Sequence, residues 1–264
     1  MNKGSKIYSA EYFDYVDLKS SNSARIVVPL LMSWMSCRSV ADFGCGRGVW
    51  LSEWAAAGVA DIRGIDGPYV NQERLYIPRA DFLAHDLTSP LDLGRRFDLV
   101  QSLEVAEHLP PYAASAFVEL LVKHAPLVVF SAAVPGQGGE SHLNERPLHY
   151  WQGLFRQHNY FALDCIRPHI RTIREIEPWY RFNMILYGAE SAIAALPSTV
   201  QAFRIPEGAR LRSAGDALWY ARRAGLSLLP RPAVSALARA HSRILASSAR
   251  GRRDRALPRN GHAD

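Results

Sequence analysis

The sequence predicts a doubly wound α/β domain with a parallel sheet, followed by a basic helical arm. Three observations predict it. Short apolar segments alternate with segments of helical composition through the first three quarters of the chain. A Gly-rich turn, Gly44, Gly46 and Gly48, follows the first such segment directly and opens a helix. Beyond Pro197 the composition changes: from residue 201 onward there are 13 Arg, no Lys and four acids, so this part carries +9 and the rest −3 of the net +6.

The elements follow in order. Residues 7–36 read as helical, with an aromatic cluster (Tyr8, Tyr12, Phe13, Tyr15) and a Pro29 that marks an early turn or a kink. Segments 39–43, 61–65, 81–84, 97–103 and 127–134 read as strands, with 160–166 and 181–187 as two closing strands. Helical composition recurs at 50–57, 112–124 and 151–158. Near-continuous apolar strands imply a sheet covered on both faces. In the arm, 214–228 and 233–249 read as two helices separated by Pro230 and Pro232, with Val234, Leu237, Ala238, Ile244 and Leu245 on one face. The division is a helical lid segment over 1–36, a cofactor-binding domain over 37–195, a basic arm over 196–249 and a disordered tail over 250–264.

Composition narrows the class. With 48% hydrophobic and 21% charged residues the chain has material for a core, which excludes wholesale disorder. Cys37, Cys45 and Cys165 form no C-x-x-C pair, so a reducing compartment is expected. The polar N-terminus lacks a secretory core, and no apolar run reaches the roughly 18 residues of a membrane span. The expectation is a soluble cytoplasmic protein, with a peripheral position at the inner membrane face open through the arm. The arm has three readings: a contact with the domain or a second subunit, an anionic membrane surface, or RNA. Arg stripes with few aromatics argue only weakly for nucleic acid.

The turn discriminates between cofactors. A dinucleotide fingerprint, G-x-G-x-x-G, would need its third glycine at Val49, and the chain has G-x-G-x-G instead. Asp66 ends the second strand, where doubly wound folds place an acid on ribose hydroxyls. Asp42 beside the turn either faces a ligand ammonium or orders the loop.

Here the residues resemble a family. DFGCGRG resembles motif I of class I S-adenosylmethionine-dependent methyltransferases, GIDGPYV its second motif, HDLTSPL its third and FDLVQSLEVAEHLP its fourth. FSAAVPGQGGESHLNERPLHYW is similar to the segment after the fifth strand in a bacterial subgroup associated with sugar and glycan biosynthesis. The resemblance spans residues 7–187. It implies a Rossmann-like methyltransferase sheet, mostly parallel, of seven strands with one antiparallel. It also implies S-adenosyl-L-methionine as cofactor. Gly44, Cys45 and Gly46 would line the methionine part, with Gly48 in the same turn. Asp66 would hold the ribose, and Asp86 would accept from the adenine amino group while Leu87 donates its N–H. Gly67, Ser102 and Glu104 would border the pocket, and Trp50 either closes over the cofactor or packs its helix on the sheet.

The expected reaction is O-methylation of a sugar or glycan hydroxyl. The alternatives are a small aromatic metabolite, an RNA end, or a silent binding module. Glu104, Glu107 and His108 sit at i, i+3, i+4, which a helix would place on one side. This E-x-x-E-H set resembles the metal motif of ubiquinone-pathway and small-RNA 2′-O-methyltransferases, and His142 is the candidate fourth ligand. Such a set suits Mn²⁺, Fe²⁺ or Zn²⁺. The opposed reading has no metal: His142 serves as general base, after a Gly-rich loop at the sheet's carboxyl edge, with His108 beside it. Arg146, Tyr150 and Trp151 would line the acceptor pocket, joined by Trp179 and Tyr180, or the aromatic pair would anchor a helix.

Overall fold

The structure is a computed structural model and describes residues 10–230, 232–241 and 244. The tail expected over 250–264, the outer part of the second arm helix and Tyr8 lie outside the described residues. Seven strands form one sheet: β1 (Ser39–Phe43), β2 (Asp61–Asp66), β3 (Phe82–Ala84), β4 (Leu99–Leu103), β5 (Leu127–Ser131), β6 (Tyr160–Leu163) and β7 (Ile185–Ala189). Their order is β3-β2-β1-β4-β5-β7-β6. Strands β1 to β5 pair in parallel, and β7 runs antiparallel to both its neighbours. The chain order reverses between β1 and β4, which opens a crevice above their carboxyl ends.

Every residue of β1, β4 and β5 is buried, and successive side chains serve opposite faces. Val40, Leu99 and Val129 point to one face. There they meet helix α1 (Ala10–Met32) through Val27, Val28 and Leu31, and helix α2 (Val49–Ala56) through Leu51 and Trp54. Ala41, Val100, Val128 and Phe130 point to the other face, against helix α3 (Ala114–His124) through Phe117 and Leu121, and helix α4 (Leu148–Gln157) through Trp151 and Phe155. Burial on both faces is why the strands read as mostly apolar runs, broken by the hydrogen-bonded Asp42, Gln101 and Ser102, rather than as alternating ones.

The closing part departs from the sequence reading in a definable way. β6 stops at Leu163 because Asp164 takes both Arg167 Nε and Nη2 at 2.6 Å, turning the chain into helix α5 (Ile166–Ile170). Residues 181–183, expected in the last strand, belong instead to helix α6 (Pro178–Asn183), which Pro178 opens at its first turn. Beyond β7 lie helix α7 (Glu190–Ala194) and helix α8 (Ser198–Gln201), and a bridge from Leu163 to Arg204 fastens the start of the arm to the sheet edge. Helix α9 (Ala217–Ser227) starts at Asp216, whose carboxylate accepts from Trp219 N at 2.8 Å. Trp219 is buried against Phe182, and residues 232–241 are helical again. The beginning of the basic arm is thus packed on the domain. Among the described residues no helix is long and apolar enough to cross a membrane.

Candidate active site

A cavity of about 880 Å³ lies over the carboxyl ends of β1, β2 and β4. Gly44, Cys45 and Gly46 line one wall. Gly44 (φ 92°) turns the chain where a Cβ would meet Val105 Cγ2 at 2.3 Å, so only glycine fits. Gly48 does not reach the cavity; left-handed at φ 84°, it forms the N-cap of α2. Asp66 is buried and its carboxylate is fully engaged: Gly46 N donates at 2.7 Å, Gly67 N at 2.6 Å and Tyr69 Oη at 2.6 Å. Burial nevertheless pushes its pKa up. Gly67 is glycine because the Tyr69 ring lies over it, 2.1 Å from where a Cβ would stand. Asp86 and Leu87 also line the cavity, with Asp86 Oδ1 accepting from Thr88 N and Oγ1.

Asp42 is buried beneath the turn. It accepts from Gln101 Nε2 at 2.7 Å, and Gln101 in turn accepts from Trp54 Nε1 at 2.7 Å. Burial raises the Asp42 carboxyl to about 8, with the Asp66 carboxylate pushing the same way. Trp50 lines the cavity and also packs edge-on against Tyr180 of α6. Ser102 does not border the cavity: it is fully buried, and its hydroxyl donates to Phe43 O at 2.8 Å, cross-linking β4 to β1.

α1 closes one side through Phe13, Val16, Asp17 and Ser20. Its anchor is not evident in the sequence. Arg47, inside the Gly-rich turn, is 3% exposed, pairs with Asp14 at 2.8 Å and with Asp17, and stacks over Phe13. An arginine amid glycines reads as a solvated loop residue unless its partners, 33 positions upstream in the case of Asp14, are already placed.

The Glu104–His108 segment corrects an expectation. It is not an α-helix with three groups on one face. β4 ends at Leu103, Glu104 is left-handed (φ 57°), and only one 3₁₀ turn, Ala106–His108, comes after it. Pro110 and Pro111 lack the N–H groups a longer helix would need. Glu104 turns toward Gln137, whose Nε2 donates at 2.6 Å, while Gln137 Oε1 accepts from Asn183 at 2.7 Å. Glu107, His108 and His142 come together instead, one ligand atom from each lying within 4.8 Å of the others, and Glu104 is outside this group. Glu107 is buried beside its own and the Ala133 backbone N–H and the Glu104 carboxyl, and neither of its oxygens makes a well-formed hydrogen bond. Burial, then the neighbouring Glu104, hold it well above the usual carboxylate range; Glu104 itself is raised to about 7 by burial.

His142 stands on the far wall, with Nδ1 2.9 Å from Glu145 Oε1 and its ring 4.9 Å from that of His108. Glu145 also accepts from Gly136 N at 2.9 Å and Gly138 N at 3.0 Å; against the upward push of burial, the His142 bond and charge first and these two bonds next keep it below the ordinary carboxylate value. Sequence reasoning misses Glu145; its place three residues after the histidine, close to four loop residues rich in glycine, is the available signal. Three expected acceptor contacts lie elsewhere. Trp151 is fully buried against Phe130, and Arg146 stacks over Tyr150 while bonding Asn144; none of Arg146, Tyr150 and Trp151 lines the cavity. Trp179 and Tyr180 do line it.

A family model described as a methyltransferase domain matches residues 19–173. The chain belongs to this methyltransferase family. It is an S-adenosylmethionine-dependent methyltransferase with a seven-stranded, mostly parallel Rossmann-like sheet. The methyltransferase is similar to the sugar N-methyltransferase KedS8 from Streptoalloteichus sp, at 15% identity over 72% of this chain and 96% of that one, with a TM-score of 0.52. It is also similar to DesVI from Streptomyces venezuelae (22% identity, TM-score 0.41), covering 50% of this chain and 62% of DesVI. A third likeness is to magnesium protoporphyrin IX methyltransferase ChlM from Synechocystis, solved with bound SAM (17% identity, 71% and 87% covered, TM-score 0.46). No curated protein sequence matches the chain.

Proposed function

We propose that this methyltransferase O-methylates a hydroxyl of a sugar or glycan, with His142 as general base. The observation that carries this reading is His142, oriented by Glu145 behind it and facing the cavity that Gly44, Gly46 and Asp66 also line. With Nδ1–H donated to Glu145, Nε2 keeps its lone pair for a proton. The cofactor supplies a methyl group on a sulfonium. The acceptor oxygen attacks that carbon in line, the C–S electron pair leaves with sulfur, and the hydroxyl proton passes to His142 Nε2. Glu145 then faces an imidazolium, and the products are a methyl ether and S-adenosylhomocysteine.

On the cofactor side, Gly44, Cys45 and Gly46 flank the methionine part in this reading. Asp66 takes the ribose, displacing Tyr69 Oη, and Asp86 with the Leu87 N–H reads the adenine. The donor set fits: the wall offers carboxylates to hydroxyls and cationic groups, and it lacks the third glycine of a pyrophosphate site. The sugar assignment draws on the resemblance of residues 130–151 and agrees with KedS8 being a sugar N-methyltransferase. The half of α1 that carries Phe13 and Asp17 serves as a lid.

A second reading has one observation in its favour, the buried Glu107 carboxyl, without a well-formed hydrogen bond, clustered with His108 and His142. A Mn²⁺, Fe²⁺ or Zn²⁺ ion held there would acidify the acceptor hydroxyl, and His142 would be a ligand oriented by Glu145.

The test is radiolabelled methyl transfer to a panel of glycosides and nucleotide sugars. His142→Asn lowers kcat about 10²–10⁴-fold and leaves cofactor affinity in place. Asp66→Asn weakens cofactor binding about 10–100-fold by calorimetry. Undiminished turnover in His142→Asn refutes the base. Loss of wild-type turnover after chelation, restored by Mn²⁺, selects the metal reading.

A further inference from the structure

The acceptor half of the cavity is roofed by residues that come after the last strand. α9 turns Arg222 and Leu226, four apart, toward it. The helical stretch 232–241 adds Val234, Leu237, Ala238 and His241, a spacing that places all four on one face.

This roof is seated on the loop that holds the base. Gly136 and Gly138 are left-handed; a Cβ on Gly136 would meet Arg223 O at 2.8 Å, and one on Gly138 would meet Leu226 Cδ1 and Val234 Cγ1 at 2.9 Å. Arg223 Nε and Nη2 donate to Pro135 O at 3.0 and 2.7 Å. Glu145 ties the same loop from the other side and also holds His142. Between roof and loop lies a smaller cavity of about 260 Å³, which shares His142, Gly138, Leu226 and Val234 with the main one. His142 therefore stands where the two spaces meet.

The roof's chemistry is the informative part. Leu237 faces the cavity yet remains 53% exposed, and Leu143 on the opposite lip is 38% exposed. The main space of about 880 Å³ sits in the upper part of the range of roughly 300–1,000 Å³ for ligand sites, which leaves room beside a cofactor. An apolar helical stripe aimed at a reaction site and left half exposed gains most from ligand carbon, and a fully hydroxylated sugar against it would lose hydrogen bonds to water.

We propose that the acceptor is an amphiphile. Its reacting hydroxyl lies at His142, and an apolar chain or ring system attached to it lies under the C-terminal helices. This rests on the hydroxyl-methylating function above and narrows its substrate class.

The experiment titrates n-alkyl β-D-glucosides, methyl to decyl and below their micellar concentrations, into the full chain saturated with S-adenosylhomocysteine. Kd falls roughly two- to fourfold per added methylene until the roof is filled. Leu237→Gln flattens this slope and Leu237→Ile keeps it, while both retain the wild-type affinity for S-adenosylhomocysteine, which certifies their fold. A Kd independent of chain length in the wild-type protein, absence of binding by any member of the series, or a full slope in Leu237→Gln overturns the proposal. No turnover is read, so the two ideas fail separately. Undiminished methyl transfer by His142→Asn refutes the proposed base and leaves the slope as it was.

Discussion

Asp66 and Glu107 are both buried carboxylates at the carboxyl edge of one sheet, yet Asp66 accepts three short hydrogen bonds and Glu107 has only poorly aligned neighbours, Ala133 N–H and the Glu104 carboxyl among them. The same contrast runs through their surroundings. On the cofactor side Asp42, Gln101 and Trp54 form a closed chain of bonds, and Arg47 is clasped by two aspartates. On the acceptor side stand Glu107 with no well-formed hydrogen bond, the strained Glu104 and a half-exposed Leu237. A wall whose polar groups are bonded to one another holds its shape without help. A wall with unused hydrogen-bonding capacity and bare apolar surface is complementary to something outside the chain. The difference teaches that one half of this cavity is preformed, whereas the other is specified jointly with its ligand.

The largest test of that contrast is Arg47→Met. Removing a 3%-exposed cation leaves the buried Asp17 without its cation, while Asp14 keeps Arg74 at 2.8 Å, and stability falls by about 3–5 kcal/mol in urea unfolding. A loss below 1 kcal/mol (about the value of an exposed ion pair) would show that the cofactor wall is not held this way.

Next in size is the pH dependence of Asp42. Its folded carboxyl titrates near 8, above its ordinary value of 3.8, so folding favours the protonated form. That contribution is complete below about pH 4, declines as pH rises and is gone above about 8. The slope is at most about 1.4 kcal/mol per pH unit. Asp42→Asn should be flatter than wild type between pH 5 and 8 in ligand-free unfolding; parallel curves would mean that Asp42 is ionised in the fold.

The smallest effect has the opposite sign. Glu107→Met removes a buried carboxyl that makes no well-formed hydrogen bond while keeping volume, and raises ligand-free stability by about 1 kcal/mol. A loss of stability as large as that of Arg47→Met would erase the distinction between the walls.

The same contrast separates the legible parts of the sequence from the illegible ones. Gly44, Cys45, Gly46, Asp66, Asp86 and Leu87 all line the cavity, because strand ends and the turns after them are local features with a fixed spacing. Six of the seven strand positions are legible for the same reason; the last starts later than its composition suggests, because Arg181–Asn183 resemble strand until Pro178 is credited with starting a helix. The acceptor wall is less legible. Glu104, Glu107 and His108 carry helical spacing, but left-handed Glu104 and two prolines override it. Trp151 is an aromatic close to an arginine in the chain, and its depth in the core depends on α4 packing over Phe130. Arg47, Tyr69 and Glu145 act through partners that only the folded chain brings near.

Every residue of the roof comes after Ala189, the end of the final strand. A protein arranged this way can exchange the piece that recognises its acceptor by recombination at a single junction, without rethreading the sheet or disturbing the glycine bend. Lineages sharing this catalytic body are then free to diversify their substrates through their C-termini, and laboratory grafts at the same junction are the direct route to altered acceptor range.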